Sequence, residues 1–490
     1  MTTASERIPF PVVDEVSRHC LQEEEPETVH IEVHLPGRLD PAGLRKAFHE
    51  ALLRHPRILM REARGPWYRR RYEWELTERP DVEVVTFPAP GRDALRDART
   101  RALTTAPPLT DSPPIRLEVV EGAGRAEGSE ASDGVGLTAS RRADTAVGGR
   151  ADMAVGGRAD TAAGGRAAGS VPAPKSAAPA QLGRAIPTPA RPQGTVLFLT
   201  INHTALDGPA CLRVLATAAE LYSGRDNSPA APPVRTAEIQ QDPADTPSNW
   251  SPPARVAPGT PEPSPGNGML VTELPLPHRP KGAPYTVNDQ LMVATALTIA
   301  HWNREHGAPP RPLRITMPVD DRPRDTTMPI GNGTRLVEVP FSPQELTTAD
   351  LPGLLERTAS RTRALKSLPR PQLGHGAALL TAPVTPVAWR AALTRGLRRA
   401  AAPWTSTTLL SNIGRIPYPL DFGEEAGRAH AVWFSAPARM PRGLTVTTAS
   451  TAGRLHLALR WSRALLSHGD GAHLRDLFEH YLHTTDVEQR

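Results

Sequence analysis

Short stretches of alternating apolar and polar positions recur in the first part of the chain. Segment 28–35, TVHIEVHL, is apolar at every second position, which predicts a half-buried strand. The next stretch, GRLDPAGLRKAFHEALLRHP, has helical spacing instead, with Asp40 as the N-cap and Pro56 as the stop. Together they predict a strand followed by a helix near the start of the fold.

A second strand and helix are predicted in the middle of the chain. Segment 195–202, TVLFLTIN, is apolar on both faces, which predicts a central, buried strand. It leads through a turn into DGPACLRVLATAAELYSG, where Asp207 is placed to cap a helix and Gly224 to end it. The strand IRLEVVE at 115–121 comes before this unit, and we expect the two strands to pair as a hairpin.

The second half of the chain again mixes helices and strands. Helical patterns occur in YTVNDQLMVATALTIAHWN and DGAHLRDLFEHYLHTT, and strand patterns in LRITMPVD, TTLLSNIG, RAHAVWFSA, GLTVTTAS and GRLHLALRWS. They lack the regular strand-helix alternation of a doubly wound sheet. The pattern therefore predicts an α+β fold built from two halves of similar size.

Two segments interrupt the pattern and set the expected domain boundaries. Residues 123–193 are dominated by Ala, Gly, Arg, Ser and Pro and contain the octapeptide repeat RADTAVGG, RADMAVGG, RADTAAGG, which predicts a disordered insertion in the hairpin. Prolines are dense over 226–283, which predicts a crossover linker. The expected organisation is an N-terminal half at 1–225 and a C-terminal half at 284–490.

The charge of the chain argues against a nucleic-acid partner. The formal net charge is +5, but residues 123–193 hold nine Lys or Arg and six Asp or Glu, a net of +3, which leaves +2 for the rest. The basic residues include only four lysines among 57. Because the body of the chain is almost neutral, we expect no nucleic-acid binding.

Composition also limits the compartment and the cofactors. No apolar run reaches the length of a membrane span, and the start of the chain lacks a secretory signal pattern, so we expect a cytoplasmic protein. The two cysteines, Cys20 and Cys211, are too few for a disulfide framework or a thiolate metal site. No histidine pair has metal-ligand spacing with a third ligand, so we expect no metal.

The stretch INHTALDG at 201–208 has two open interpretations. In the first, His203 is a satisfied polar residue in a turn and Asp207 only caps the following helix. In the second, His203 is a general base, a task for which neutral imidazole is suited at neutral pH. The stretch by itself favours the first interpretation.

Other motifs on either side of this stretch change that balance. In chain order they are FPVVDEVSRHC, LPGRLDPAGLRKAFHEALLRHPRILMR, NHTALDG, TVNDQLMVATAL, MPVDDRP followed by IGNG, LSNIG and STAGRLHLALRWSRALLS. This series resembles the condensation-domain superfamily: condensation domains of nonribosomal peptide synthetases, polyketide-associated, wax-ester and plant HxxxD acyltransferases and, more distantly, chloramphenicol acetyltransferase. The resemblance covers nearly the whole chain outside the low-complexity regions. It implies two chloramphenicol-acetyltransferase-like halves in a V with a central substrate tunnel.

The resemblance implies an acyltransferase or condensation enzyme of natural-product or lipid biosynthesis. The donor would be a thioester of coenzyme A or of carrier-protein phosphopantetheine, the acceptor an amine or an alcohol, and no cofactor would be bound permanently. His203 would be the general base, while Asn202 replaces the first histidine of the usual HHxxxDG pattern. Asp207 would be architectural, joined to Arg322 of MPVDDRP as a bidentate pair between the halves. Gly208 would let the backbone approach the substrate or the helix start, where N–H groups could hold the oxyanion.

Further residues are candidates for lining the substrate region. They are Asn202, Asn332 of IGNG, and Ser411 and Asn412 of LSNIG. For the last three, a structural role in a turn stays open beside substrate contact. Asn288 and Asp289 of TVNDQ are interpreted as a helix cap.

Two other functions are kept as hypotheses. One is a non-catalytic module of the same fold that docks carrier proteins, although the retained His203, Asp207 and Gly208 argue against it. The other is RNA binding by the GGR repeats, against which the lack of aromatic residues for base stacking argues. A monomer is expected. The choices between coenzyme A and a carrier protein, and between amine and alcohol, stay open.

Overall fold

The computed structural model describes residues 6–21, 24–122, 194–225, 251–323, 328–368 and 381–486. All of these residues belong to one compact unit. The predicted insertion at 123–193 and the first part of the predicted linker, 226–250, lie outside the described residues. The disorder expected for the insertion therefore stays a prediction.

The described residues form strands and helices in mixed order, as the α+β prediction requires. The strands are β1 Arg7–Pro9, β2 Thr28–Leu35, β3 Met60–Glu62, β4 Glu73–Leu76, β5 Val85–Thr86, β6 Ile115–Glu121, β7 Thr195–Asn202, β8 Asn267–Pro275, β9 Leu313–Asp320, β10 Thr334–Phe341, β11 Thr408–Arg415, β12 Ala431–Ser435, β13 Leu444–Thr451 and β14 Arg454–Ser462. The α-helices are α1 Val12–His19, α2 Pro41–Arg54, α3 Ala94–Thr104, α4 Gly208–Tyr222, α5 Val287–Glu305, α6 Leu351–Ser367, α7 Val387–Ala400, α8 Gly423–Ala426 and α9 His468–Thr484.

The first large sheet is centred on the strand that leads to His203. Its five strands have the order β12-β2-β7-β6-β5. Strand β7 pairs antiparallel with β2 on one side and β6 on the other, and every one of its residues is buried. The predicted hairpin and the predicted central strand are therefore both present. Helix α4 packs against α2 and carries the chain away from the sheet.

The second large sheet belongs mainly to the second half of the chain. Its six strands have the order β10-β9-β11-β13-β14-β8. Strand β11 pairs parallel with β9 and with β13, and the remaining pairs are antiparallel. A separate three-stranded sheet, β1-β4-β3, lies near the start of the chain. The sheet mixture fits an α+β protein and excludes a doubly wound fold.

The prediction of a linker over 226–283 is wrong for its later part. Strand β8 lies within it and pairs with β14 along its whole length. Ala254, Val256 and Ala257 come before this strand and are buried in the core of the second half. The prolines around β8 concealed it, because proline is tolerated beside and at the end of an edge strand.

The boundary of the C-terminal half at 284–490 also needs correction. Strand β12 lies in this range, yet it pairs with β2 at the edge of the first sheet. Val432 and Phe434 of β12 are accordingly buried in the first core. Periodicity predicted the strand correctly but does not state which sheet a strand joins, because that depends on contacts distant in sequence.

Buried arginines hold the two halves together. Arg460 of β14 is 1% exposed, and its guanidinium donates to the Thr28 carbonyl oxygen at 2.8 Å. Burial lowers the pKa of Arg460 to about 9, so the side chain stays charged at neutral pH. Arg390 of α7 pairs with Glu15 of α1 at 2.5 Å. The V-shaped arrangement of the halves stays a prediction.

The ends of β6 and β7 meet closely enough to be joined by a short turn. The Gly122 N–H donates to the Gly194 carbonyl oxygen at 3.2 Å. We therefore predict that replacing residues 123–193 by Asn-Gly, which suits a two-residue hairpin turn, leaves the melting temperature within about 5 °C of wild type. Differential scanning calorimetry measures this, and loss of cooperative unfolding would show that the insertion is part of the folded core.

Candidate functional site

Motif residues from both halves of the chain meet around one cavity of about 1240 Å³. Its walls come from α1, α4, α7, β9, β11 and β12. The predicted site residues His203, Asp207, Gly208, Asn332, Ser411 and Asn412 all line it. The cavity is therefore the candidate substrate-binding region.

His203 is half-buried in the turn between β7 and α4. Its Nδ1 atom lies 3.0 Å from the Leu206 carbonyl oxygen. Because a carbonyl oxygen only accepts hydrogen bonds, Nδ1 carries the proton, and the lone pair of the neutral ring is on Nε2. The backbone of the turn is fixed as well, since the His203 N–H donates to the Glu27 carbonyl oxygen at 2.8 Å. The ring is thus held in the tautomer that a general base requires.

Asp207 combines the two roles that were considered for it separately. One carboxylate oxygen accepts from the Ala210 N–H at 3.0 Å and caps α4. The other accepts from the Arg322 guanidinium at 2.7 Å and from the Gly333 N–H at 2.9 Å. Its described partners do not include the His203 imidazole. Asp207 therefore fixes the helix start and the contact between the halves.

The geometry of Arg322 differs from the bidentate pair that the resemblance implies. Only one guanidinium nitrogen contacts Asp207, whereas Nε and Nη2 contact the two carboxylate oxygens of Asp320 at 2.9 and 3.0 Å. The prediction of a bidentate pair with Asp207 is wrong because Asp320, two residues before Arg322, forms the bidentate contact instead. Burial opposes the charge, but the Asp320 and Asp207 carboxylates outweigh it and place the pKa of Arg322 above its ordinary value.

The IGNG motif packs directly onto the His203 turn. The Asn332 amide donates to the carbonyl oxygens of His203 and Thr204 at 3.1 and 3.0 Å, and to Asp14 Oδ1 at 2.9 Å. At Gly333 a side chain would overlap the Arg322 guanidinium. Asn332 thus contacts the turn, and the glycine leaves room for the arginine. The sequence left a turn-forming role and substrate contact open for Asn332, and these bonds show the structural role.

The LSNIG motif lines the cavity from β11. Asn412 donates to Asn288 Oδ1 at 3.2 Å and accepts from the Gly414 N–H at 2.9 Å, where the pairing of β11 shifts register. Ser411 lines the same wall. Asn288 is not the helix cap that was expected, because Thr286 caps α5 together with Asp289. Asn288 instead faces the cavity and was missed as a site residue.

Asn202 does not line the cavity, so its prediction as a substrate-lining residue is wrong. Its amide nitrogen donates to the Pro107 carbonyl oxygen at 2.9 Å, and its amide oxygen accepts from the Thr204 N–H at 3.1 Å. The side chain is 4% exposed. It therefore joins the end of β7 to the 105–109 loop, which sequence adjacency to His203 does not reveal.

Gly208 starts α4 where the helix approaches the first sheet. A Cβ atom at this position would lie 3.2 Å from the Phe434 ring and 3.5 Å from Val29. Pro209 has no N–H, and the Ala210 N–H is bonded to Asp207, so Gly208 supplies the remaining N–H of these three positions. Among the N–H groups of these three positions, that of Gly208 is therefore the one available to hold the oxyanion.

Helix α1 contributes polar groups that were not selected from the sequence. Asp14 accepts from the Trp74 indole at 2.8 Å and from Asn332, and Ser17 Oγ lies 3.2 Å from Thr204 Oγ1. Burial raises the pKa of Asp14 to about 7. Both residues lie in the motif FPVVDEVSRHC. Their spacing of three positions, which places them on one face of the helix, was the available signal.

The described residues contain no cluster of metal ligands, since no group of three or more His, Cys, Asp or Glu among them could hold a metal ion. In the same part of the chain no helix is long and apolar enough to span a bilayer. Cys20 and Cys211 are both buried free thiols, and burial places the pKa of Cys211 well above its ordinary value.

Comparison with other sequences gives a partial match. No protein-family model matches the chain. Two proteins of Mycobacterium tuberculosis, from strains CDC 1551 / Oshkosh and ATCC 25618 / H37Rv and both named as uncharacterized, are 31% identical over 282 residues. The match covers 50% of this chain and 62% of each relative, which is less than two thirds of the relatives' length.

Comparison with solved structures covers almost the whole chain. The condensation domain from the Monacolin K polyketide synthase MokA has a TM-score of 0.55 at 10% identity, covering 99% of this chain and 98% of that one. The first condensation domain of the CDA synthetase has a TM-score of 0.54 at 13% identity, with 99% and 97% covered. The chain has the condensation-domain fold.

A condensation-domain fold does not by itself select a reaction. The epimerization domain from the third module of tyrocidine synthetase B has a TM-score of 0.50 at 11% identity, with 99% and 98% covered. The residues around the cavity therefore determine the chemistry.

Removing the Arg322 charge should destabilise the protein strongly. We predict that Arg322→Gln lowers the free energy of unfolding by about 3 to 5 kcal/mol, because two buried carboxylates lose their cation. Asp207→Asn should cost less, since Arg322 keeps Asp320. Denaturant unfolding measures both. The exposed pair Arg357 and Asp350 supplies the control, because Arg357→Gln should lower the free energy of unfolding far less than Arg322→Gln does. Arg357 also lies 3.8 Å from Glu345, but Glu345 keeps its closer partner Arg361 at 2.8 Å. Equal losses in Arg322→Gln and Arg357→Gln would contradict the account.

The buried carboxyl of Asp14 should make stability depend on pH. Its raised pKa favours the protonated form in the folded state, so this stabilising contribution is present below about pH 4 and is lost as pH rises toward 7. Between pH 5 and 8 wild type should lose about 2 to 3 kcal/mol relative to Asp14→Asn, which cannot ionise. Urea unfolding at several pH values tests this, and parallel curves for the two proteins would rule out the shift.

Proposed function

We propose that the protein transfers an acyl group from a thioester to an amine or an alcohol, with His203 as general base. The observation that carries the proposal is the Nδ1–H bond of His203 to the Leu206 carbonyl oxygen, which leaves Nε2 as the proton acceptor at a cavity wall. His203 also lines the cavity, so a substrate bound there can reach its side chain.

The reaction needs no covalent intermediate with the enzyme. His203 Nε2 takes the proton of the acceptor as its nitrogen or oxygen attacks the thioester carbonyl carbon. The tetrahedral intermediate then collapses, the carbon–sulfur bond breaks, and the imidazolium returns the proton to the leaving thiolate. The Gly208 N–H at the positive end of α4 is the proposed donor to the oxyanion.

Asp207, Arg322 and Asn332 position this base without contacting the reacting atoms. Asp207 and Arg322 fix the end of the turn that carries His203, and Asn332 bonds to the His203 carbonyl oxygen. A shift of the ring by a fraction of an ångström would misplace Nε2, and proton transfer is sensitive to such distances. These residues are therefore positioning residues.

The cavity is large enough for two substrates. Its volume of about 1240 Å³ exceeds the roughly 300 to 1,000 Å³ of a pocket that holds one ligand. Leu212, Met317 and Phe434 supply apolar wall, which suits an acyl chain. The donor is proposed as a thioester of coenzyme A or of a carrier protein, in natural-product biosynthesis.

Replacing His203 should remove transfer without unfolding the protein. We predict that His203→Ala lowers thiol release from acyl thioesters of coenzyme A or N-acetylcysteamine, with hydroxylamine as acceptor, about 100- to 10,000-fold. His49→Ala removes an exposed histidine of α2 and should leave the rate unchanged. Melting curves should be the same for all three proteins.

Two results would decide against this function. Equal rates for wild type and His203→Ala would show that His203 is not the base. Binding of a phosphopantetheinylated carrier protein by wild type, with no turnover of any thioester offered, would support the non-catalytic docking module instead.

A further inference from the structure

One wall of the cavity carries three arginines from two separated segments. We call Arg398, Arg439 and Arg442 the arginine wall; all three line the cavity. Arg398 comes from α7, and the other two come from the segment between β12 and β13. No part of the proposed proton transfer uses them.

Arg442 is held by neutral groups. Its Nε and Nη2 atoms donate to Ser406 Oγ at 3.1 and 2.8 Å, and Nη2 also lies 3.3 Å from Thr316 Oγ1. Burial, together with the nearby charges of Arg398 and Arg439, lowers the pKa of Arg442 to about 10. The side chain is therefore still a cation at neutral pH, and its hydroxyl contacts fix its direction without neutralising it.

The carboxylates near the wall neutralise only part of its charge. Glu27 is paired with Arg439, which also donates to the Cys20 carbonyl oxygen at 2.8 Å. Among the residues that the structure describes, no carboxylate forms an ion pair with Arg398 or Arg442. Arg398 and Arg442 thus have no direct ion-pair partner in these parts of the protein. The carboxylates that act on Arg442 from a distance, Glu338 and Glu27, are each paired with another arginine.

Further arginines lie behind the same wall. Arg255 donates to the Thr405 and Pro441 carbonyl oxygens at 3.4 and 3.2 Å, and Arg314 donates to the Trp404 carbonyl oxygen at 3.0 Å. Glu338 pairs with Arg314 at 3.3 Å. The excess of positive charge therefore extends behind the wall, and a concave surface with a net positive charge concentrates anions from solution.

We propose that the arginine wall binds an anionic group, a phosphate or a carboxylate, on a ligand whose other end reaches His203. Guanidinium groups suit both anions, because they present several N–H donors in a plane. This rests on the proposed function only in taking the cavity as the place where substrate binds. The arginine wall indicates that one end of the ligand is negatively charged. The apolar residues that line the cavity do not indicate this.

The wall and the base are joined through one residue. The Glu27 carbonyl oxygen accepts from the His203 N–H, and the Glu27 carboxylate pairs with Arg439. Arg439 and His203 are therefore held on the same side of the cavity, which both of them line. The ligand phosphate or carboxylate serves as an anchor distant from the reacting carbon, so its binding energy can position the thioester.

Binding of four probes to the full-length chain tests the proposal by isothermal titration calorimetry. Two probes differ by a phosphate, 4′-phosphopantetheine against pantetheine, and two differ by a carboxylate, hemisuccinyl- against butyryl-N-acetylcysteamine. We expect wild type to bind one charged probe at least about tenfold more tightly than its neutral partner. We expect Arg442→Gln to remove that preference, and added salt to weaken it.

Matched variants separate the local charge from general effects. Arg399→Gln removes an exposed arginine of α7 next to Arg398 and should keep the preference. Arg442→Lys keeps the cation and should retain part of the preference, while melting curves show that each variant is folded. The pair of probes that responds identifies the source of the anion as a phosphate or a substrate carboxylate.

Equal binding of charged and neutral probes by wild type would overturn the inference. So would a preference that Arg442→Gln leaves unchanged. The same titrations in His203→Ala need no turnover, so they can succeed although the proposed reaction fails. Conversely, His203-dependent turnover with no effect of Arg442→Gln on binding would remove the arginine wall and leave the reaction standing.

Discussion

The geometry of the candidate site depends on the buried charge of Arg322. Its guanidinium contacts Asp207 and Asp320, two carboxylates that the interior would not hold without a cation. Asp207 in turn caps α4 and accepts from Gly333, and Asn332 beside that glycine bonds to the carbonyl oxygen of His203. The orientation of His203 is therefore the last step of a chain of contacts that begins at an ion pair between the two halves.

Local pattern predicted the parts of the fold that local physics determines. The alternation in β2, the double-sided apolarity of β7 and the capped helix α4 are each fixed by neighbouring residues. Strand β8 was missed because prolines surround it, and the sheet that β12 joins could not be predicted because its partner β2 lies about 400 residues earlier in sequence. The predicted domain boundaries were wrong where a strand from one half of the chain joins the sheet of the other half.

The same distinction applies to the site. Motif position predicted a bidentate pair between Arg322 and Asp207, but the bidentate contact of Arg322 is with Asp320. Only the folded structure shows that both carboxylates lie within reach of Arg322. Asn202, next to His203 in sequence, bonds to Pro107 and lies off the cavity, whereas Asp14, distant in sequence, contacts Asn332. The arginine wall likewise brings together residues from separate segments of the chain. In the sequence alone these residues are only part of a general excess of arginine.

Catalysis by His203 requires an unprotonated Nε2 atom that faces the cavity. The ¹⁵N chemical shifts of the ring in ¹⁵N-histidine-labelled protein measure this most directly, with the His203 signals assigned by their absence from His203→Gln. At a pH where the ring is neutral, we predict the Nδ1–H tautomer, with the proton on the nitrogen that faces the Leu206 carbonyl oxygen. An Nε2–H tautomer would contradict it, because the nitrogen facing the cavity would then have no lone pair to accept a proton.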